Sequence, residues 1–219
     1  MSRSTSYTLT CPCGEVFDSH VYEYVNVSTD PQLLYTVLAG LLNVSVCPAC
    51  GRRSAISRPF IYSDAARNLL AYVYPRNDVP EEARLMILDK LSDVYTSVVG
   101  NTDEHSDQEN GEVRDDIEGA LSPVDRVQEI PPLQVVFGMD QLQSLINAVL
   151  SQQERLGRIA LNTFSRDSAE RGQLLHIARK LAREMQLQVE VEELSDEYTV
   201  WLFGSRRQIS AIMRELAAR

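Results

Sequence analysis

The sequence predicts an α+β protein in three parts. These are a small β-rich N-terminal domain with an inserted helix (residues 1–100), an acidic linker (101–132) and a C-terminal two-layer α/β sandwich (133–219). Three observations predict it. Two close cysteine pairs enclose a stretch that reads as a strand hairpin and a helix. All of the net charge of −10 falls within residues 76–130, and both flanks are neutral. The last third alternates strand-like and helix-like segments in the order β-α-β-α-β-β-α, an order that suits one sheet layer under one helix layer.

In the N-terminal part, 8–11 and 16–27 are rich in Val, Tyr and Phe and read as strands. Asp30 is placed to cap a helix and Pro31 suits its first turn. Leu33, Leu34, Val37, Leu38 and Leu41 give that helix an apolar face, and Gly40 stops it. Residues 60–63 and 69–74 read as two further strands with a turn at 64–68. A helix over 79–98 follows, with Pro80, Glu81 and Glu82 in its first turn and Gly100 at its end. Its stripe is Ile87, Leu91, Val94, Tyr95 and Val98. Residues 101–132 are poor in aromatics and rich in Asp, Glu, Gly, Asn and Ser. Such a stretch buries too little apolar surface to offset its ordering entropy.

In the C-terminal part, 133–137 and 158–164 read as strands, and 140–153 and 168–186 as helices. Leu174, Ala178, Leu181 and Met185 share one face of the second helix. Residues 188–193 and 198–203 read as a hairpin. Val189 and Val191 alternate with Glu190 and Glu192, the mark of a sheet with one wet face. Trp201 and Phe203 are expected in the core. Ser205 caps a last helix that buries Ile209, Ile212, Met213 and Leu216.

The four cysteines lie in Cys11-Pro12-Cys13-Gly14 and Cys47-Pro48-Ala49-Cys50-Gly51. Two short turns delivering two thiolates each suit tetrahedral zinc. A glycine after the second cysteine of each pair allows positive φ, so that amide groups can face the sulfurs. The first pair has one intervening residue where the second has two, so its turn is tighter. Three alternatives fit less well. A Cys11–Cys13 disulfide is strained, and disulfides are rare in a chain with no visible secretory signal. A redox pair at Cys47 and Cys50 needs a helix N-terminus, but Gly51-Arg52-Arg53 and a strand-like stretch follow. A zinc deaminase pairs His-x-Glu with Pro-Cys-x-x-Cys, whereas His20 and Glu23 stand too far apart and Val46 precedes Cys47. Four sulfur ligands also close the coordination shell, which makes the zinc structural.

These residues resemble the CpXC domain family, bacterial proteins with paired Cys-Pro motifs. The resemblance runs through Thr10 to Gly14, Val25-Asn26, Asp30-Pro31, Leu38, Gly40, Leu42-Asn43, Cys47 to Gly51, Pro59, Tyr62-Ser63-Asp64 and Pro75. It covers about the first third of the chain, and 133–145 looks like the start of the C-terminal part of longer relatives. It implies a zinc-ribbon-like module and little about activity.

Other residues point less sharply. Arg52, Arg53 and Arg58 are candidates for contact with an anion or nucleic acid, or else offset the charge of the thiolates. His20, His105 and His176 lie in no catalytic pattern. Arg166, Arg171, Arg179, Lys180 and Arg183 are expected to pair with Glu190, Glu192 and Glu193. The acidic balance argues against non-specific nucleic-acid binding by the whole chain. The expectation is a cytoplasmic zinc-binding protein that acts as a scaffold or interaction module for an unknown protein partner. A nucleic-acid-binding regulator is the alternative. No catalytic motif is present to argue for an enzyme.

Overall fold

The computed structural model describes residues 1–104, 131–193 and 197–217. Strands β1 (Arg3–Thr10) and β2 (Val16–Asn26) form an antiparallel hairpin, in register from Thr10 opposite Val16 to Ser4 opposite Tyr22. Helix α1 (Gln32–Leu38) and the short hairpin β3 (Val44–Val46) with β4 (Arg53–Ala55) lie between β2 and the next strand of the sheet. That strand, β5 (Phe60–Asp64), runs parallel to β2, then turns through Ala65–Arg67 into antiparallel β6 (Leu69–Tyr74). Asn68 closes the turn at φ 52°, a conformation asparagine adopts more readily than most residues. Gly40 ends α1 at φ 70°, as expected. Asp30 does not cap α1 with its side chain. Its carboxylate instead accepts the Ser2 N–H at 2.9 Å and the Thr29 hydroxyl at 3.0 Å, and these bonds hold its pKa low.

Helix α2 (Glu81–Glu104) continues through Gly100, where the sequence suggested an end. One interior glycine costs a helix only about 1 kcal/mol, less than is needed to stop it. Ile87 and Leu91 are half-buried, while Leu85, Met86 and Leu88 are exposed. The remaining stripe residues, the acidic stretch 105–130 with His105, and Leu216 lie outside the described side chains.

The strand pairing departs from chain order at residue 133. Strand β7 (Leu133–Phe137) was expected to open the C-terminal sandwich. It lies parallel to β6 instead, from Leu70 opposite Leu133 to Tyr74 opposite Phe137. The result is a five-stranded sheet in the order β1-β2-β5-β6-β7. Helix α3 (Met139–Val149) follows β7 and buries Leu142, Ile146 and Leu150 beside Leu34, Val37 and Leu38 of α1, over Val25, Tyr62, Ala71 and Val73 of the sheet. The physical reason is that β6 leaves a row of backbone donors and acceptors along its edge, and β7 satisfies them. Apolar periodicity says that a segment is a strand; it does not say which edge the strand joins.

A three-stranded antiparallel sheet, β8 (Leu156–Thr163), β10 (Tyr198–Ser205) and β9 (Gln188–Glu193), has β10 in the centre. Helices α4 (Ser168–Met185) and α5 (Arg206–Ala217) pack on it, with Ala178, Ala182, Ile209 and Ile212 against Val200 and Leu202. The Asp167 carboxylate caps α4 by accepting the Ala169 N–H at 2.9 Å. Ser205 and Gln208 form a reciprocal cap on α5. The Ser205 hydroxyl accepts the Gln208 N–H at 3.1 Å, and the Gln208 side chain accepts the Ser205 N–H at 2.8 Å. Met213, expected inside, is exposed.

The face of this sheet expected to be wet is partly covered. Trp201 is half-buried rather than core, and its indole N–H donates to Glu192 at 2.9 Å. Phe203 is buried beside it. Together with Arg158, Glu190 and Glu192 they border a cavity of about 340 Å³ closed by Gly40, Leu41, Val44 and Arg53. A second junction joins the first sheet to the approach to β8. Arg67 bridges buried Asp64 and Glu154 at 2.7 Å each, and the Tyr35 hydroxyl donates to the Glu154 carbonyl at 3.1 Å.

Two outcomes are expected. Ile146→Ala lowers the stability of the first sheet by about 2–5 kcal/mol in urea denaturation. If the second sheet alone responded, the placement of β7 and α3 would be wrong. The Glu154 carboxyl is held down to about 2 by hydrogen bonds from Ser151 and then Arg67. Its folded pKa is depressed, so its contribution is present above its ordinary value of 4.5 and fades as pH falls toward 2. Glu154→Gln therefore flattens acid unfolding in that window. An unchanged acid profile would remove the junction's role.

Candidate metal centre

Each cysteine pair sits at the tip of a hairpin. Residues 11–15 join Thr10 to Val16, the last register pair of β1 and β2. The Cys11 N–H donates to the Glu15 carbonyl at 2.8 Å, and the Gly14 N–H to the Cys11 carbonyl at 2.8 Å. Residues 47–52 join Val46 to Arg53 in the same manner. The Cys47 N–H donates to the Arg52 carbonyl at 2.9 Å, and the Gly51 N–H to the Cys47 carbonyl at 2.9 Å. Gly14 at φ 94° and Gly51 at φ 69° make the tight reversals that a Cβ would strain.

Asn43 brings the two tips together. Its side-chain oxygen accepts the Tyr22 N–H at 2.7 Å and its amide donates to the Tyr22 carbonyl at 3.0 Å. One buried side chain thus stands in for a neighbouring strand against β2. Its own carbonyl accepts the Ile56 N–H at 2.8 Å, which anchors the far end of the β3–β4 hairpin. Hydroxyls of Ser19 on β2 and Ser45 on β3 meet at 2.5 Å and complete the seam.

The four sulfurs lie within 4.8 Å of one another. Cys11 and Cys50 Sγ are 3.6 Å apart, and Cys13 and Cys47 Sγ are 3.7 Å apart. Both distances are far beyond the ~2.05 Å of a disulfide. They match the edge of a tetrahedron of sulfurs about 2.3 Å from a central zinc, which is about 3.8 Å. Cys11 and Cys47 are buried, and Cys13 and Cys50 are exposed, so each hairpin supplies one inner and one outer sulfur. The donor set and its spacing therefore fit a four-thiolate metal ion.

The thiols also affect one another's ionisation. Burial pushes Cys47 upward, but the N–H groups of Cys50 and Ala49 and the neighbouring thiols outweigh it and bring it down to about 7. For Cys11 the Cys13 N–H acts downward, and burial with the three surrounding sulfurs lifts it to about 12. Cys47 therefore ionises before Cys11, and a divalent cation would offset the charge that gathers when both are thiolates.

The structure brings Cys11, Cys13, Cys47 and Cys50 together. It does not gather Arg52, Arg53 and Arg58 into one patch of free cations. Arg53 pairs with Glu190 at 2.5 Å, and Arg58 lies over the Tyr7 ring at 5.1 Å. Arg52 is exposed and its carbonyl serves the second turn. Cys47 lies in a hairpin tip and not at a helix start, so the dipole that activates a redox cysteine is absent. His20 is exposed on β2 and His176 on α4. Sequence reasoning missed Asn43, Ser19 and Ser45. Asn43 alone carried a signal, as an asparagine next to a helix end, and it takes φ 57°.

The sequence model of the family described as CpXC protein matches residues 9–156, well over half of the chain. This chain belongs to the CpXC family. The CpXC match is longer than the resemblance read from the cysteine motifs. It extends from the end of β1 to the first residue of β8 and so takes in β2, β5, β6 and β7 of the five-stranded sheet, with α3. Neither curated proteins nor solved structures show a match to this CpXC chain.

Replacing Asn43 by alanine leaves the part-buried Tyr22 backbone groups without this partner and costs about 1–3 kcal/mol. The variant should melt earlier than the parent and lose metal to a competing chelator at lower chelator concentration. Equal chelator resistance would mean that Asn43 does not align the tips.

Proposed function

We propose that Cys11, Cys13, Cys47 and Cys50 hold one Zn²⁺ as a closed structural centre in a zinc-ribbon-like element. In this reading the CpXC protein works in the cytoplasm as an interaction module. The observation that carries it is the convergence of four sulfurs, from two hairpin tips, at tetrahedral spacing. Sulfur at every position leaves no site for water or substrate, so the ion holds the fold and does not catalyse. Four unpaired thiols suit a reducing compartment.

The ion's effect extends beyond the tips. β4 carries Arg53, and Arg53 is paired with Glu190 of β9, so ordering the metal hairpin also orders a contact with the second sheet. This supports a protein whose two sheets present one composite surface to a protein partner. The pairing of Arg53 and the stacking of Arg58 weigh against the use of these arginines on nucleic-acid phosphates.

Metal analysis of the purified, reduced protein should give one zinc per chain, with loss of metal in each single Cys→Ser variant. Zinc uptake by the metal-free chain should release protons, since thiols become thiolates. Trp201 is the sole tryptophan and borders the Arg53–Glu190 contact, so its emission should change when chelator strips the metal. A reduced protein that contained no metal and kept its fold in strong chelator would overturn the reading.

A further inference from the structure

A large cavity lies away from the cysteines. It is a groove of about 1130 Å³ between α4, the start of β9 and the turn before α1. We infer that this groove is a binding site for a small organic diphosphate, independent of the metal centre. Gly172, His176, Arg179 and Arg183 recur at helical spacing along α4 and line one wall. Leu175, Leu187 and Val189 supply an apolar part, and Thr29, Gln32 and Gln188 supply neutral hydrogen-bonding groups. No acidic side chain lines it.

The parts of the chain that line it are neutral overall, so the absence of acids from the lining leaves the groove locally basic. The arginines of α4 were expected to pair with the glutamates of β9. Arg171 does so, with Glu193 at 2.5 Å. Arg179 and Arg183, exposed on the groove wall, have no acidic partner among the described residues. Arg183 makes only a long 3.4 Å contact from Nε to the Arg179 carbonyl. Asp30, on the opposite wall's loop, is engaged by Ser2 and Thr29. Two guanidinium forks one helical turn apart suit two adjacent phosphate groups.

Gly172 is an independent sign. A glycine inside a helix costs about 1 kcal/mol relative to alanine. Here a Cβ would meet nothing within 4 Å, and the φ is ordinary, so neither packing nor backbone geometry calls for glycine. Its position on the groove wall keeps that stretch of helix open to a ligand. The ligand's organic part would lie on the apolar part of the lining, in a groove a little larger than the ~300–1,000 Å³ of ordinary small-molecule sites.

The test is titration calorimetry of the full-length, zinc-replete protein at low salt with adenosine diphosphate and with inorganic pyrophosphate. Adenosine diphosphate should bind and should bind more tightly than pyrophosphate. Arg179→Gln with Arg183→Gln should weaken both by at least about tenfold. Gly172→Leu should weaken adenosine diphosphate more than pyrophosphate. All three replaced residues are exposed, and unchanged melting of the variants verifies the fold. Absence of binding by either probe, equal binding by the arginine variant, or equal affinity for the two probes would overturn the proposal. So would retention of a single-stranded oligonucleotide with no binding of adenosine diphosphate. Metal content, measured on the same samples, separates this outcome from failure of the zinc reading.

Discussion

Two hairpin tips from distant parts of the chain have to deliver four sulfurs to one point, and this requirement governs the first half of the structure. Short turns fix the sulfurs within each pair. Only a seam between the hairpins fixes one pair against the other, and that seam is polar. Asn43 occupies both backbone groups of Tyr22, and Ser19 meets Ser45. Hydrogen bonds are directional where apolar packing is not, so a few of them define the distance between tips that a metal ion needs. The β3–β4 hairpin is too short to hold its place by its own ladder. Its position is borrowed from β2 on one side and, through the proposed ion, from the first hairpin on the other.

Helix α1 links this arrangement to the rest of the molecule. Its apolar face is covered by the five-stranded sheet and by α3. Its C-terminal end and the following residues, Gly40, Leu41 and Val44, meet the second sheet beside Trp201 and Phe203. Two ion pairs reinforce the contact, Arg67 with Glu154 and Arg53 with Glu190. Glu190 is half-buried, and burial, its largest influence, pushes its pKa upward while Arg53 opposes this. Such a pair matters more for the register of the two layers than for net stability, since desolvation consumes much of the attraction. The larger share of cohesion comes from the apolar area around α1.

Local elements were largely legible because they are written in local chemistry. β6 and β7 match their predicted limits, since apolar runs bounded by turn residues leave little choice. The caps at Ser205 and Gly40 were legible for the same reason. Asp30 was misread because a capping residue also has other partners, and Ser2 reached it first. Met213 and Trp201 were misplaced because an apolar residue on a stripe is buried only where a neighbour covers it.

By itself the sequence determined which four residues could hold a metal ion. Thiol identity, pair spacing and the glycines that follow are covalent and short-range, so the donor set could be named before any fold was known. It also determined the class of the protein, since the periods of strand and helix follow from backbone geometry. Tertiary structure alone decided the grouping. β7 joined the edge of β6, Asn43 took the place of a strand, and Arg179 and Arg183 of α4 were left on a groove wall while Arg171 met Glu193. Each of these depends on which surfaces meet across long separations in the chain, and hydrophobic pattern carries no address for its partner.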